Sequence, residues 1–267
     1  MKAAISGSSG FIGSRLTEIL KNQGHEVLPI PREVYYSTEL IKFFTENKPD
    51  YIFHLAAYGN MAYQDDVQQT LKANLEGSIN MIIASLYIPY KAFINVSSSS
   101  VLLPYETFYS ATKASVERLS KAFINRFNSP IVTLRPYSVY GPNEAPFRFI
   151  PTVFRSCLEK EEMTLAPNSV HDWIYIDDFV DAMIYAAVNI NKTKGKIYGV
   201  GTGVGTTNKD VVSLIEQITG KKANITKEQE LRPFDNNKWT AQLEDYLCKT
   251  SLIEGLQRIY AKQRPKN

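Results

Sequence analysis

Cysteine is almost absent. The 267 residues hold two, Cys157 and Cys248, far apart and in no metal-ligand spacing. The three histidines, His25, His54 and His171, form no cluster either. A disulfide framework and a structural zinc site are therefore not expected, and no metal is assigned. Long apolar runs are missing too, and none approaches the about 18 residues that would suggest a membrane span. Residues 1–5 run straight into a glycine turn, so no signal peptide is expected and the cytoplasm is the expected compartment. A dominant charge is also lacking. Thirty Lys and Arg stand against 27 Asp and Glu, a net charge of +3, and the basic residues are scattered. That speaks against a nucleic-acid partner and at most suits an anionic small molecule.

What is present is an ordinary globular composition, 44% hydrophobic and 21% charged, with strands and helices in alternation. Short apolar segments at 2–6, 25–30, 51–56, 92–96 and 131–134 read as strands, with a barely visible one at 34–36. Segments 11–22, 38–47, 67–87 and 109–126 carry helical spacing, Thr38 being an N-cap candidate and Pro49 a stop. The alternation predicts a parallel sheet covered on both faces. After Gly141 the pattern changes. Pro142, Pro146 and Pro151 break the chain into shorter pieces, with helices expected at 150–159, 178–188, 208–219 and 251–262. The expected fold is α/β: a Rossmann-type doubly wound sheet over 1–142, and a smaller, mainly C-terminal α/β substrate domain over 143–267 that returns segments near 170–200 to the main sheet.

Gly7-Ser8-Ser9-Gly10-Phe11-Ile12-Gly13 follows the first strand and opens the first helix. Gly7 allows the tight turn, Gly10 lets backbone approach a pyrophosphate, and Gly13 lets the helix pack closely. Past the second strand, where an acidic residue usually reads a ribose hydroxyl, stands Arg32. A guanidinium matches a 2′-phosphate, so the sequence favours NADP(H), with NAD(H) as the alternative. Tyr109 and Lys113, four apart, share one helix face. A nearby ammonium lowers the pKa of a phenol and brings it toward acid/base use. Ser97 to Ser100 close a parallel strand, at the sheet end where such folds bind ligands.

With these residues in view, the chain resembles the extended short-chain dehydrogenase/reductases, the group of nucleotide-sugar epimerases, dehydratases and reductases. The likeness runs along almost the whole chain. It includes Pro49-Asp50-Tyr51-Ile52-Phe53-His54-Leu55-Ala56-Ala57, the helix residue Asn74, Leu134-Arg135-Pro136-Tyr137-Ser138-Val139-Tyr140-Gly141-Pro142 and His171-Asp172-Trp173-Ile174-Tyr175-Ile176-Asp177-Asp178. Tyr198-Gly199-Val200-Gly201-Thr202-Gly203, Leu231-Arg232-Pro233-Phe234-Asp235 and Thr250-Ser251-Leu252-Ile253-Glu254-Gly255-Leu256 complete it.

The resemblance implies Tyr109 as acid/base, Lys113 as the group that tunes it and anchors the nicotinamide ribose, and Ser98 as the hydroxyl orienting the reacting oxygen. Ser98 follows from aligning Val101, whereas counting from the strand gives Ser99. It implies cofactor contacts from Gly7, Gly10, Phe11, Ile12, Gly13, Arg32, Leu55, Ala56, Ala57, Asn74, Tyr109, Lys113 and Pro136. Substrate contacts are implied for Ser99, Tyr140, Asn143, His171 and Arg232, the last toward a pyrophosphate, and a homodimer through the two long helices. The sequence also departs from the pattern. Leu102-Leu103 replace the usual Tyr-Gly, His171 stands for an Arg, and Ser99-Ser100 stand where 4,6-dehydratases carry the Asp-Glu pair that water elimination needs.

The leading expectation is an NADP(H)-dependent reductase of a nucleotide-linked 4-keto sugar. The alternative is a nucleotide-sugar 4-epimerase that retains NAD. A non-catalytic dinucleotide-binding sensor is the third reading.

Overall fold

Strands without a polar face set the architecture. Lys2–Ser6 and Ala92–Val96 are buried along nearly their whole length, which requires cover on both sides of a sheet. The computed structural model describes residues 1–61, 63–231, 243 and 245–263. Its elements begin with β1 (Lys2–Ser6), α1 (Phe11–Asn22), β2 (Glu26–Pro29), α2 (Glu39–Asn47), β3 (Tyr51–His54), α3 (Val67–Leu71) and α4 (Gly77–Ser85). There follow β4 (Ala92–Val96), α5 (Phe108–Phe127), β5 (Ile131–Pro136), β6 (Ser138–Tyr140), α6 (Phe149–Glu159), β7 (Glu162–Leu165) and β8 (Val170–Tyr175). The rest are α7 (Ile176–Val188), α8 (Ile190–Thr193), β9 (Ile197–Val200), β10 (Gly205–Thr207), α9 (Asn208–Thr219), β11 (Asn224–Glu228) and α10 (Leu252–Gln263).

The chain forms two units. The first comprises Met1–Leu102, Glu106–Pro136 and Val180–Tyr198. Its six-stranded sheet has the order β2-β1-β3-β4-β5-β9, and the pairs from β2 to β5 are parallel. Ala4 lies opposite both Leu28 and Ile52, and Ile94 opposite both Phe53 and Val132. Leu40 and Phe44 of α2 and Met81, Ile82 and Ala84 of α4 pack on Ala4, Ile52, Phe93 and Ile131 of the strands. This is a Rossmann-type sheet. α1 begins directly after Gly10 and buries Gly13, Leu16 and Leu20, a spacing that keeps them on one face. α2 ends at Lys48, which takes a left-handed conformation just before Pro49. Thr38 flanks α2 but its side chain makes no capping hydrogen bond.

Two local expectations are corrected. Residues 34–36 do not form a strand: Arg32–Tyr36 is a 3₁₀ helix, and β2 is the sheet edge. Pro29 and Pro31 lack N–H groups, so this edge pairs poorly with a further strand. Tyr35 turns inward instead. Its hydroxyl accepts from Gly7 N–H (3.1 Å) and donates to the Ile30 carbonyl (3.3 Å). The long helix over 67–87 is also not uniform, because Lys72–Glu76 widens to a π-helical segment between α3 and α4.

The second unit comprises Leu103–Tyr105, Tyr137–Phe179 and the described residues from Gly199 on, so its main segment begins six residues before the expected start at 143. It holds a three-stranded sheet, β10-β8-β6, and a two-stranded one, β11-β7. Two buried carboxylates organise it. Asp172 accepts from the Thr202 and Gly203 N–H groups and the Thr202 hydroxyl at 2.7–2.8 Å. Asp178 accepts from the N–H groups of Lys249 and Thr250 just ahead of α10. Among the described residues no helix is long and apolar enough to cross a membrane.

Candidate active site

The glycine turn is built from bare backbone. Gly7 has φ +68°, a left-handed conformation that side chains disfavour, and its carbonyl accepts from Gly10 N–H at 3.0 Å. A Cβ on Gly13 would lie 2.1 Å from the Gly7 oxygen. Any side chain there would push α1 off the turn. A Cβ on Gly10 would stand 3.2 Å from the same oxygen. The N–H groups of Phe11 and Ile12 fall in the first turn of α1, where no intrahelical carbonyl reaches them. This cradle fits a dinucleotide pyrophosphate.

Behind the turn runs a buried polar relay that fixes its own proton positions. The Ser78 hydroxyl donates to the Asn74 carbonyl (2.5 Å), so it must accept from His54 Nε2–H (2.7 Å). His54 Nδ1 is then the acceptor of the Ser6 hydroxyl (2.7 Å). The Ser6 oxygen in turn accepts from Leu55 and Ala56 N–H at 3.1 and 3.2 Å. The imidazole is thus neutral. Burial, with Lys113 adding to it, depresses its pKa from 6.5 to about 3.

That neutrality has a consequence for stability. Below pH 6.5 the unfolded chain protonates this histidine while the folded chain does not until about pH 3. The unfolded state therefore binds more protons in that window, and stability falls as pH falls through it, by about 5 kcal/mol in all. Urea denaturation at pH 7, 5 and 4 should show a steeper acid loss for the wild type than for His54→Gln. Parallel curves would refute the neutral assignment.

Asn74, on the π-helical segment, is fully buried. Its amide donates to the Tyr58 carbonyl (2.8 Å) and the Thr112 hydroxyl (3.1 Å) and accepts from Tyr58 N–H (2.8 Å). It pins the loop after β3, which carries Leu55, half-buried Ala56 and exposed Ala57, to α5. Both of its amide donors are thus engaged within the protein.

α5 opens on a capping box, with Thr107 Oγ1 accepting from Ser110 N–H (3.1 Å) and Ser110 Oγ accepting from Thr107 N–H (2.8 Å). The cap sets half-buried Tyr109 in the first turn. Lys113 follows one turn on, its ammonium 6.0 Å from the Tyr109 ring centroid. Lys113 is 4% exposed and donates to the Val96 carbonyl at the end of β4 (2.7 Å). Burial lowers its pKa from 10.5 to about 8, while Glu117 acts to raise it. At neutral pH it therefore remains mainly an ammonium.

Glu117 lies a further turn along α5. It accepts from the Ser97 hydroxyl (2.6 Å) and from Arg135 Nε and Nη2 (2.8 and 2.5 Å), a bidentate pair joining α5, β4 and β5. Ser97 is thereby committed. Ser98 follows at the mouth of the strand, and Ser99 opens a 3₁₀ turn, Ser99–Leu102. Pro136, half-buried, ends β5.

Tyr35, His54, Ser78, Glu117 and Arg135 were not singled out in the sequence as site residues. Only Glu117 carried a legible signal there, an acid eight residues after Tyr109 on the face of α5 that holds Lys113.

The second unit holds other residues expected to meet substrate. Tyr140 does not fit that role. It is 0% exposed, its hydroxyl donates to the Leu252 carbonyl (3.3 Å), and its ring lies edge-on to Trp173 and Tyr175. The large apolar ring is there to fill the core of that unit. His171 is half-buried, 5.2 Å from the Trp173 ring, with Nδ1 3.4 Å from Ser138 Oγ and Nε2 3.1 Å from Ser169 Oγ. Asn143 is exposed, with φ +67°. Arg232 lies outside the described residues.

The chain resembles known proteins in sequence and fold. A model of the NAD dependent epimerase/dehydratase family matches residues 3–201. The chain is 29% identical to YtcB of Bacillus subtilis, described as an uncharacterized UDP-glucose epimerase, over 96% of each chain. It is 25% identical to the UDP-glucuronic acid 4-epimerase of Bacillus cereus in complex with UDP-glucuronic acid and NAD, with a TM-score of 0.87 over 98% of each chain. The UDP-glucose 4-epimerase of Thermotoga maritima, 23% identical, shares the fold with a TM-score of 0.87 over 98% of this chain and 99% of its own.

These relatives overturn the NADP(H)-dependent reductase expected from Arg32. The Bacillus cereus structures, 25% identical, hold NAD, and that protein is a UDP-glucuronic acid 4-epimerase. The structure supplies a physical reason. Arg32 is exposed and opens a 3₁₀ helix where a third strand was expected. Its position in the sequence is thus no guide to a ribose phosphate.

Proposed function

The chain belongs to the NAD dependent epimerase/dehydratase family, and from that premise we propose that it is a nucleotide-sugar 4-epimerase working with NAD. One observation carries the reading. Within a single unit, Tyr109 and Lys113 lie one turn apart on α5, Lys113 is tied to Val96, and Ser98 stands two residues beyond Val96. The Bacillus cereus relative, a 4-epimerase holding UDP-glucuronic acid and NAD, points to a UDP-linked hexose or hexuronic acid as substrate.

When bound, NAD supplies reversible oxidation of a sugar carbinol carbon. The pyrophosphate is assigned to the amides of the glycine turn and of Phe11 and Ile12, and the nicotinamide ribose to Lys113. Tyr109 takes the proton of the sugar hydroxyl and later returns it. The Lys113 ammonium favours the phenolate that this requires. Ser98 hydrogen-bonds the same sugar oxygen. Elimination of water would need a further acid and base, and Ser99 and Ser100 offer only alcohols. A homodimer through the α3–α4 and α5 faces is part of the proposal, supported by the exposed apolar Leu71, Ile83, Leu86 and Tyr87.

The test is to incubate purified protein with UDP-glucose and UDP-glucuronic acid, follow their 4-epimers by NMR without added nicotinamide, and identify the dinucleotide released on denaturation. Interconversion with NAD released is expected. Stoichiometric use of a reduced nicotinamide, or no conversion with or without added NAD, would overturn the proposal.

A further inference from the structure

We propose that Ser100 is a positioning residue that makes the Ser98 hydroxyl a donor, and only a donor, toward the reacting sugar oxygen. The inference rests on the 4-epimerase reading and deepens it at the same site. The Ser98 oxygen has two acceptor positions and one proton. Ser100 addresses both acceptor positions, its N–H at 3.1 Å and its hydroxyl at 2.8 Å. The 3₁₀ turn over Ser99–Leu102 holds the two serines at this spacing.

The N–H can only donate. Between the two hydroxyls, a chain running from Ser100 through Ser98 to the sugar oxygen strengthens along its length. The reverse direction would leave Ser98 no proton for the sugar. As the sugar carbinol becomes a carbonyl, its oxygen gives its proton to Tyr109 and turns from donor into acceptor. A Ser98 whose acceptor positions are filled meets that new acceptor and does not compete with Tyr109 for the proton. Ser97 cannot share the task, because its own proton goes to Glu117. Two serines thus divide the work: Ser98 touches the reacting atom, and Ser100 acts through it.

The experiment measures kcat and KM for UDP-sugar epimerisation in S100A, S100T, S98A and S98A/S100A, with thermal melts and a crystal structure of S100A. S100A should lower kcat about tenfold, the scale of one hydrogen bond, with KM within twofold and an unchanged melt. S100T, which keeps the hydroxyl, should stay within threefold of wild type. S98A/S100A should be no slower than S98A, since Ser100 has nothing to act through once Ser98 is gone. In crystals of S100A the Ser98 side chain should leave the rotamer in which its oxygen meets Ser100. A wild-type rate in S100A, a slow S100T or additive losses in the double variant would overturn the role. A wild type that converts no UDP-sugar sinks the epimerase reading instead. The inference is then judged on the Ser98 rotamer, whose persistence in S100A would overturn it.

Discussion

Tyr109→Phe should lower the turnover of the proposed 4-epimerisation by about 10²–10⁴-fold, the range that a positioned acid/base group contributes. The substitution keeps the ring and removes only the hydroxyl. Tyr109 is half-buried in the first turn of α5, and the capping box that starts this helix belongs to Thr107 and Ser110. The fold should therefore hold, with a melting temperature close to wild type. The nucleotide-sugar KM should change little, because the phenol acts on one oxygen of a large ligand. A Phe variant within threefold of wild-type kcat would exclude Tyr109 as the acid/base and with it the reaction scheme.

Glu117→Leu should strongly destabilise the first unit. It leaves the Arg135 guanidinium without its carboxylate and the Ser97 hydroxyl without its acceptor. The side chains of Arg135 and Glu117 are 19% and 6% exposed, so the pair is largely desolvated. Breaking a buried pair from one side costs about 3–5 kcal/mol, and the partial exposure of Arg135 points to the lower end. A loss of about 3 kcal/mol lowers the melting temperature by about 5–10 °C in a chain of this size. Glu117→Leu combined with Arg135→Met removes both charges and should recover most of that loss, since a packed apolar pair replaces an ion pair at little cost.

The same variant reports on Lys113. Glu117 works against burial by raising the lysine pKa, which stands at about 8. Without that negative charge the ammonium is less favoured. The alkaline decline of activity expected from loss of the Lys113 proton should then move to lower pH in Glu117→Leu. Denaturation melts and a pH–rate profile of the single and double variants check both effects. Equal stability of single variant and wild type would contradict the ion-pair account.

Part of the site is legible in the residues alone. Gly7 and Gly13 are readable because a backbone at φ +68° at the first, and the Gly7 oxygen 2.1 Å from a would-be Cβ at the second, exclude other residues locally. Tyr109 and Lys113 are readable because four residues make one helical turn. Arg32 misled, because its expected role assumed a strand at 34–36. The burial of Tyr35 against Gly7 made that segment a 3₁₀ helix instead. Tyr140 misled for a related reason. A motif position does not say whether a ring faces a ligand or a core, and contact with α10, more than a hundred residues later, decided for the core.

The sequence by itself determined the parallel sheet, the glycine turn and the tyrosine–lysine pair, because each follows from spacing within a few residues of one strand or helix. Only the tertiary structure decided that His54 is neutral, that Glu117 clamps Arg135 and Ser97, and that Asn74 holds a loop. Those states depend on burial and on partners 18 to 38 residues away or more. Solvation and hydrogen bonding at such distances exist only once the chain has closed on itself.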